Sequence, residues 1–163
     1  MPRVFRGWAL GLALGLLTVP MGVSAHEDEE SIPLSRVPKA VTKAIDEKFS
    51  GAEIVEASKY EEDGDTIYEL SFKQDKVEYE VELKADGKFV EIEKYLSGKE
   101  LPPAVVKALK SKYPRHKVQE AAEITDDDGV FYYVTIETGL KKELEILLDP
   151  SGKILEVDEV DEE

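Results

Sequence analysis

The segment Leu101-Pro102-Pro103-Ala104-Val105-Val106-Lys107-Ala108-Leu109 decides the fold, because an earlier segment of the chain resembles it closely. That earlier segment is Val37-Pro38-Lys39-Ala40-Val41-Thr42-Lys43-Ala44-Ile45. The correspondence extends outward from both segments, with one inserted residue near Gly139, through the pairs Phe49/Tyr113, Ala57/Ala121, Tyr68/Tyr132, Glu80/Glu145, Leu83/Leu148 and Gly87/Gly152. Self-similarity of this length predicts two tandem copies of one small structural unit.

Each copy begins with an apolar stripe at helical spacing. In the first copy the stripe includes Val41, Ile45 and Phe49, and Ser35 is a candidate N-cap. Four stretches follow in which apolar and polar residues alternate, a pattern typical of strands with one buried face. Asp63-Gly64 and its counterpart Asp128-Gly129 are typical of hairpin turns. Each unit is therefore predicted to be one helix on a four-stranded antiparallel sheet, an α+β arrangement.

Two such units can join their strand edges into one eight-stranded sheet or pack side by side. We favour the joined sheet, because it hides strand edges that would otherwise be exposed. The predicted divisions of the chain are a signal peptide (1–25), an acidic N-terminal arm (26–34), a first repeat (35–97) and a second repeat (98–163).

The first 25 residues have the features of an export signal. Arg3 and Arg6 precede an uncharged apolar stretch, and Val23-Ser24-Ala25 is a small-residue cleavage pattern. An uncleaved membrane anchor is the alternative, but the apolar run is short and Pro20 interrupts it. We therefore expect a periplasmic or secreted protein with no stable membrane insertion after cleavage. The acidic arm that follows lacks apolar periodicity and is expected to be solvated.

Composition excludes several classes of function. The 163 residues include 36 Asp and Glu but 21 Lys and Arg, which gives a formal net charge of −15 and argues against nucleic-acid binding. The chain has no Cys and two His, so thiol chemistry and multi-His metal centres are excluded. Of the two histidines, only His116 lies in the part of the chain that is predicted to fold. The sequence around His116 indicates neither a pocket nor a carboxylate partner. The sequence thus predicts a non-enzymatic protein without a cofactor or a dedicated metal site.

Several short motifs resemble the PepSY-like domains, which are exported bacterial modules described as beta-lactamase-inhibitor-like. The motifs are the helix segment at Leu101, the pair Tyr113-Pro114, the Asp128-Gly129 turn with Tyr132-Tyr133-Val134, and the segment 148–157. The first copy departs from the pattern where Ser50-Gly51 replaces an aromatic-Pro pair. The resemblance implies a helix-plus-four-strand repeat. It also implies that a sheet formed by two repeats can face a protein partner, as in the related inhibitor, while related propeptide domains restrain peptidases.

The candidate site residues are carboxylates on the sheet face that the helices leave uncovered. In the third and fourth strands of the first copy, acidic residues alternate with core residues and therefore share this face; they are Glu78, Glu80, Glu82, Glu91 and Glu93, to which we add the aromatic Tyr133 of the second copy. Like charges on neighbouring strands destabilise a sheet unless something offsets them. The face is either a solvated surface that confers solubility, a docking surface for a basic protein partner, or a weak site for divalent cations.

The leading hypothesis is an exported binding module that docks or restrains a protein partner through this open face. The alternative is an acidic, cation-responsive envelope protein with weak binding of divalent cations and no dedicated protein target.

Overall fold

A computed structural model describes residues 29–160, so the predicted signal peptide and the first residues of the acidic arm lie outside the described part. Within these described residues, two α-helices and nine strands follow one another. The strands are β1 (Glu30–Ser31), β2 (Glu53–Glu62), β3 (Asp65–Gln74), β4 (Val77–Lys84), β5 (Phe89–Tyr95), β6 (Lys117–Asp126), β7 (Gly129–Glu137), β8 (Glu143–Leu148) and β9 (Ile154–Val160). The helices are α1 (Lys39–Lys48), between β1 and β2, and α2 (Pro103–Lys112), between β5 and β6.

All nine strands form one antiparallel sheet whose spatial order equals the chain order. The expectation of eight strands was one short, because part of the acidic arm forms β1 and pairs Glu30 with Lys59 of β2. The arm continues through Ile32, which is buried, into a 3-10 turn at Leu34–Arg36. Ser35 lies inside this turn and Pro38 occupies the N-cap position of α1, so the N-cap expected at Ser35 was wrong.

Both helices pack on the same face of the sheet. Val41 and Ile45 of α1 are fully buried in a core with residues of β2 to β4, such as Leu70. Val105 and Leu109 of α2 are equally buried in a second core with residues of β6 to β8. Pro103 is the first residue of α2, where its missing N–H removes no helical hydrogen bond.

The two cores are connected through the pairing of β5 with β6. Ile92, which packs against the first core, lies opposite Thr125, and Tyr95 lies opposite Ala122. A hydrogen bond from the Leu96 amide to the Ala121 carbonyl, 2.8 Å long, extends this pairing past the end of β5. The fold is therefore α+β with a continuous sheet, and the face opposite the helices spans all of its central strands.

Candidate functional site

The sheet face opposite the helices carries alternate residues of every central strand. Strand register fixes this, since Leu70 of the core lies between Glu69 and Ser71 on β3, and Val81 lies between Glu80 and Glu82 on β4. No helix within residues 29–160 covers this face. It is the open face predicted from sequence alternation, although many of its side chains bury one another.

Five glutamates of three adjacent strands form what we call the carboxylate cluster: Glu69, Glu80, Glu82, Glu91 and Glu93. Register places Glu82 directly opposite Glu69 on one side and Glu91 on the other, and places Glu80 opposite Glu93. Directly opposed residues in an antiparallel sheet have Cβ atoms about 5 Å apart, so these carboxylates repel one another strongly. Four of the five predicted glutamates lie in the cluster, and Glu69 joins them from β3.

Glu93 is the most buried member of the cluster, with 1% of its surface exposed. Its Oε2 atom has no hydrogen-bond partner among the described residues. Burial, followed by repulsion from Glu80 and Glu91, raises the pKa of Glu93 well above its usual range. This carboxyl group is therefore held in an environment that strongly disfavours its charged form.

The half-buried neighbours of Glu93 are shifted in the same direction. Burial and the nearby Glu80 raise the pKa of Glu69 to about 8. Burial and the nearby Glu82 raise the pKa of Glu80 to about 7, although a hydrogen bond from Tyr95 acts in the opposite sense. Glu69 and Glu80 therefore titrate near neutral pH, as carboxyl groups do when they are partly buried beside other carboxylates.

Two tyrosines hold carboxylates of the cluster in place. The Tyr60 hydroxyl donates to Oε1 of Glu82 at 2.9 Å, and the Tyr95 hydroxyl donates to Oε2 of Glu80 at 3.4 Å. Burial and the adjacent carboxylates raise the pKa of both hydroxyls, so the phenols remain protonated donors. Each tyrosine thus places a ring at the border of the cluster and orients one carboxyl group.

The lysines of this face pair with acids at the rim of the cluster. Lys73 contacts Glu78 at 2.6 Å, and Lys84 contacts Asp65 at 2.5 Å. Glu78, which was predicted as a site residue, therefore belongs to the rim. No ion pair within residues 29–160 reaches Glu69, Glu80 or Glu93. These three carboxylates therefore have no neutralising lysine in the part of the chain that the structure describes.

The second half of the open face carries apolar and aromatic residues as well as carboxylates such as Glu145. Tyr133 lies on it, as predicted, opposite Ala122 and Leu147, but its side chain is only 5% exposed. Burial raises the pKa of the Tyr133 hydroxyl, and the neighbouring Glu145 adds to the rise. Ile124 is also buried and lies opposite Glu93. The acidic cluster therefore borders directly on apolar surface.

The other acidic groups and His116 do not form a site in the described residues. The carboxylate of Asp126 accepts hydrogen bonds from the amides of Asp128 and Gly129, which is turn chemistry. Nδ1 of His116 lies 2.6 Å from the carbonyl oxygen of Tyr113, in a connector that lines a cavity of about 310 Å³. Within residues 29–160 no group of three His, Asp or Glu side chains could hold a metal ion.

Sequence reasoning did not identify Tyr60, Tyr95 and Ser58 as members of this surface. Ser58 and Tyr60 alternate with the core residue Ala57, so period-2 spacing could have placed them on the open face. Tyr95 alternates with Glu91 and Glu93 on β5, so the same spacing could have placed it on the open face. Its position opposite Ala122 depends on the pairing of β5 with β6, which joins residues far apart in sequence and is shown only by the folded chain.

Comparison with solved structures finds the same fold in other bacterial proteins. The structure superimposes on a BLIP-like protein from Bacteroides fragilis with a TM-score of 0.62 at 23% identity, covering 79% of this chain and 88% of that one. It superimposes on a protein of the DUF2874 family from Bacteroides uniformis with a TM-score of 0.64 at 19% identity, covering 75% and 88%. At this level of identity the likeness establishes the fold.

A third neighbour, from Bacteroides eggerthii, is described as periplasmic. It has a TM-score of 0.65 at 17% identity and covers 76% of this chain and 88% of that one. This description agrees with the export expected from the first 25 residues. Within the described residues, no helix has the length and apolar character needed to cross a membrane.

Comparison with curated proteins gives no match. Comparison with protein families gives a match to the family described as "beta-lactamase-inhibitor-like, PepSY-like", over residues 25–89 and 66–156. The two overlapping segments together span most of the chain, which confirms the resemblance seen in the sequence motifs. The protein belongs to the PepSY-like family.

Proposed function

We propose that this protein is an exported, non-enzymatic binding module that docks or restrains a protein partner through the open sheet face. The observation that carries the proposal is the uncovered face itself, on which half-buried carboxylates and tyrosine rings adjoin apolar residues. Aromatic and apolar groups beside charged ones are characteristic of protein–protein interfaces. The family is described as inhibitor-like, which supports a binding role.

The proposal includes the view that the chain is a tandem duplication of one unit, with repeats at 35–97 and 98–163 after a signal peptide and a short arm. Equivalent irregularities support it. The pairing register has an irregularity at corresponding points of the two copies. It lies between Ile54 and Glu56 in β2 and between Val118 and Glu120 in β6. Duplication would leave the open face with two related halves, both of which carry carboxylates.

Site-specific photo-crosslinking tests the docking surface. A photoreactive amino acid at position 82 places the probe on the open face, and the same group at exposed position 107 on α2 serves as the matched control. We expect a discrete crosslinked partner in the native envelope from position 82 and none from position 107. Identical products from both positions, or products from position 107 alone, would contradict the proposal.

Charge reversal provides an independent test of the same surface. In the chain that carries the photoreactive group at position 82, Glu91→Lys should abolish the crosslink, because the Glu91 side chain is partly exposed on the open face. Glu93 is unsuitable for reversal, since a lysine there would be buried. Unchanged melting temperature is the control for folding. The alternative function, a cation-responsive envelope protein, is supported by the net charge alone.

A further inference from the structure

Two buried polar groups face the carboxylate cluster and have no hydrogen-bond partner among the described residues. They are Oε2 of Glu93 and Oγ of Ser58, whose residues are 1% and 8% exposed. Ser58 lies directly opposite Glu69, so its hydroxyl shares the open face with the cluster. Buried polar groups in native proteins are nearly always paired, so each of these two atoms is an acceptor that a bound group can satisfy.

The charge of the surroundings indicates a cationic ligand. Every interaction that shifts the pKa of Glu69 or Glu93 disfavours the charged carboxylate, and no lysine within residues 29–160 forms an ion pair with either. A positive group on the open face over β4 would favour the charged carboxylates of the neighbouring strands and satisfy the open acceptors. The chain contributes no such group from its own described side chains.

An organic cation fits this site better than a metal ion. The described carboxylates do not converge in a group that could hold a metal. Guanidinium is planar, carries five donors and is less strongly hydrated than ammonium, so it is suited to partly buried carboxylates and aromatic neighbours. Tyr60 and Tyr95, each hydrogen-bonded to a cluster carboxylate, supply those neighbours.

We infer that the carboxylate cluster is a recognition site for an arginine side chain of the protein partner, with Glu80 and Glu93 as its main acceptors. This inference rests on the proposed function and specifies the chemistry of the partner. The bordering apolar residues Ile124 and Tyr133 would lie against whatever flanks that arginine. The partner is thus expected to present an arginine beside an apolar residue.

The test titrates the purified protein with the blocked tripeptide acetyl-Gly-Arg-Gly-amide and follows backbone amides and glutamate carboxyl carbons by NMR. The neutral citrulline analogue is the control for shape, and the lysine analogue is the control for guanidinium geometry. We expect saturable shifts in the millimolar range that concentrate at Glu69, Glu80 and Glu93. The citrulline peptide should give none, and the lysine peptide should bind several-fold more weakly.

Variants assign the binding to the cluster. Glu80→Gln and Glu93→Gln should each weaken the arginine peptide at least tenfold, whereas Glu78→Gln, at the lysine-paired rim, should change its affinity less than twofold. Dispersed amide spectra establish that each variant is folded. Glu80 is only partly buried, so Glu80→Gln keeps the test decisive if Glu93→Gln does not fold. Equal loss in all three variants, or shifts spread over the whole acidic surface, would overturn the inference.

Titration with calcium chloride tests the alternative that the cluster binds an inorganic cation. Saturable calcium shifts at Glu80 and Glu93, without shifts from the arginine peptide, would show an inorganic cation site and refute the arginine assignment. The outcome is also separable from that of the proposed function. A partner that crosslinks at position 82 but is indifferent to Glu93→Gln and to the arginine peptide would preserve the docking surface and remove only this inference.

Discussion

At the scale of single residues, a glycine in each half of the molecule lets a turn between two strands lie against a helix. Gly87 and Gly152 both have positive φ angles, +88° and +83°. A Cβ atom at Gly87 would lie 2.6 Å from the carbonyl oxygen of Ala40, and one at Gly152 would lie 2.5 Å from that of Ala104. These turns can touch the helices only because a side chain is absent.

Gly87→Ala should therefore be far more destabilising than Gly64→Ala. Gly64 also has a positive φ, +86°, but nothing lies within 4 Å of its Cβ position. Left-handed strain alone costs about 1 kcal/mol, and a backbone clash adds about 1–3 kcal/mol. Denaturant unfolding should give a loss of about 3 kcal/mol for Gly87→Ala and about 1 kcal/mol for Gly64→Ala. Equal losses would show that α1 can move away from the turn.

At the scale of elements, β1 and the residues after it close the edge of the sheet and of the first core. Ile32 is 6% exposed and packs in that core, while Leu34, two residues later, is 46% exposed. The Ile32 amide also donates to the Ala57 carbonyl at 2.9 Å. A short segment that the sequence marked as solvated thus contributes both backbone pairing and apolar contact.

Truncation of Ile32 should measure that contribution. Ile32→Ala should lower the free energy of unfolding by about 2 kcal/mol or more, as expected for a buried aliphatic side chain. Leu34→Ala should change it by less than about 0.5 kcal/mol, because the side chain is largely exposed. Chemical denaturation of both variants checks the difference. Similar small effects would mean that β1 is not docked in solution.

Three adjacent strands, β3 to β5, also combine to create an unusual dependence of stability on pH. The pKa values of Glu69 and Glu80 rise from 4.5 to about 8 and about 7 in the folded state. Between the unfolded and folded values the folded chain binds more protons, so the free energy of unfolding falls as pH rises from about 4.5 to 8. The groups that face one another here are Glu29, Glu56, Glu69, Glu80, Glu82, Glu91, Glu93, Glu120, Tyr60, Tyr95 and Tyr133.

The protein should accordingly melt at higher temperature at pH 5 than at pH 8. Glu80→Gln and Glu93→Gln together should flatten that slope, because amides cannot ionise. Glu137→Gln is the control: a hydrogen bond from Lys141 lowers the pKa of Glu137, so this variant should leave the slope between pH 5 and 8 unchanged. Thermal unfolding across the pH series gives the measurement. A profile that rises toward pH 8 would contradict the buried-carboxylate description.

At the scale of the whole molecule, the pairing of β5 with β6 makes one sheet from two cores. Five residue pairs join these strands, from Glu91 with Asp126 to Tyr95 with Ala122. The same junction brings Ile124 of the second half opposite Glu93 of the first half. Neither half alone can close that edge, and a unit of about 60 residues buries too little surface to be robust.

Residues 26–163 should therefore unfold in one cooperative transition, whereas 26–97 and 98–163 expressed separately should be poorly folded or self-associating. The physical reason is the exposed edge of β5 or β6 in each fragment. Calorimetry of the longer chain and NMR dispersion of both fragments provide the measurements. Two separate transitions, or fragments as stable as the longer chain, would contradict strong coupling between the halves.

Much of this architecture follows from local pattern in the sequence. The helical stripe through Val41 and Ile45 predicts α1, and period-2 alternation predicts both the strands and the face of Glu80, Glu82, Glu91 and Glu93. These patterns succeed because the periods of 3.6 and 2 are properties of the backbone itself. The pairing of Glu30 with Lys59 escaped prediction, since a two-residue strand has no period to detect.

The sequence by itself determined the α+β class, the hairpin turns and the side of the sheet on which each glutamate lies. Only the tertiary structure decided how buried those glutamates are, which lysines reach them, and that Tyr60 and Tyr95 hold two of them. Alternation assigns a residue to a face, but burial and pKa depend on neighbours that non-local strand pairing brings together. The acidic face therefore becomes a candidate binding site only after β3, β4, β5 and β6 are placed side by side.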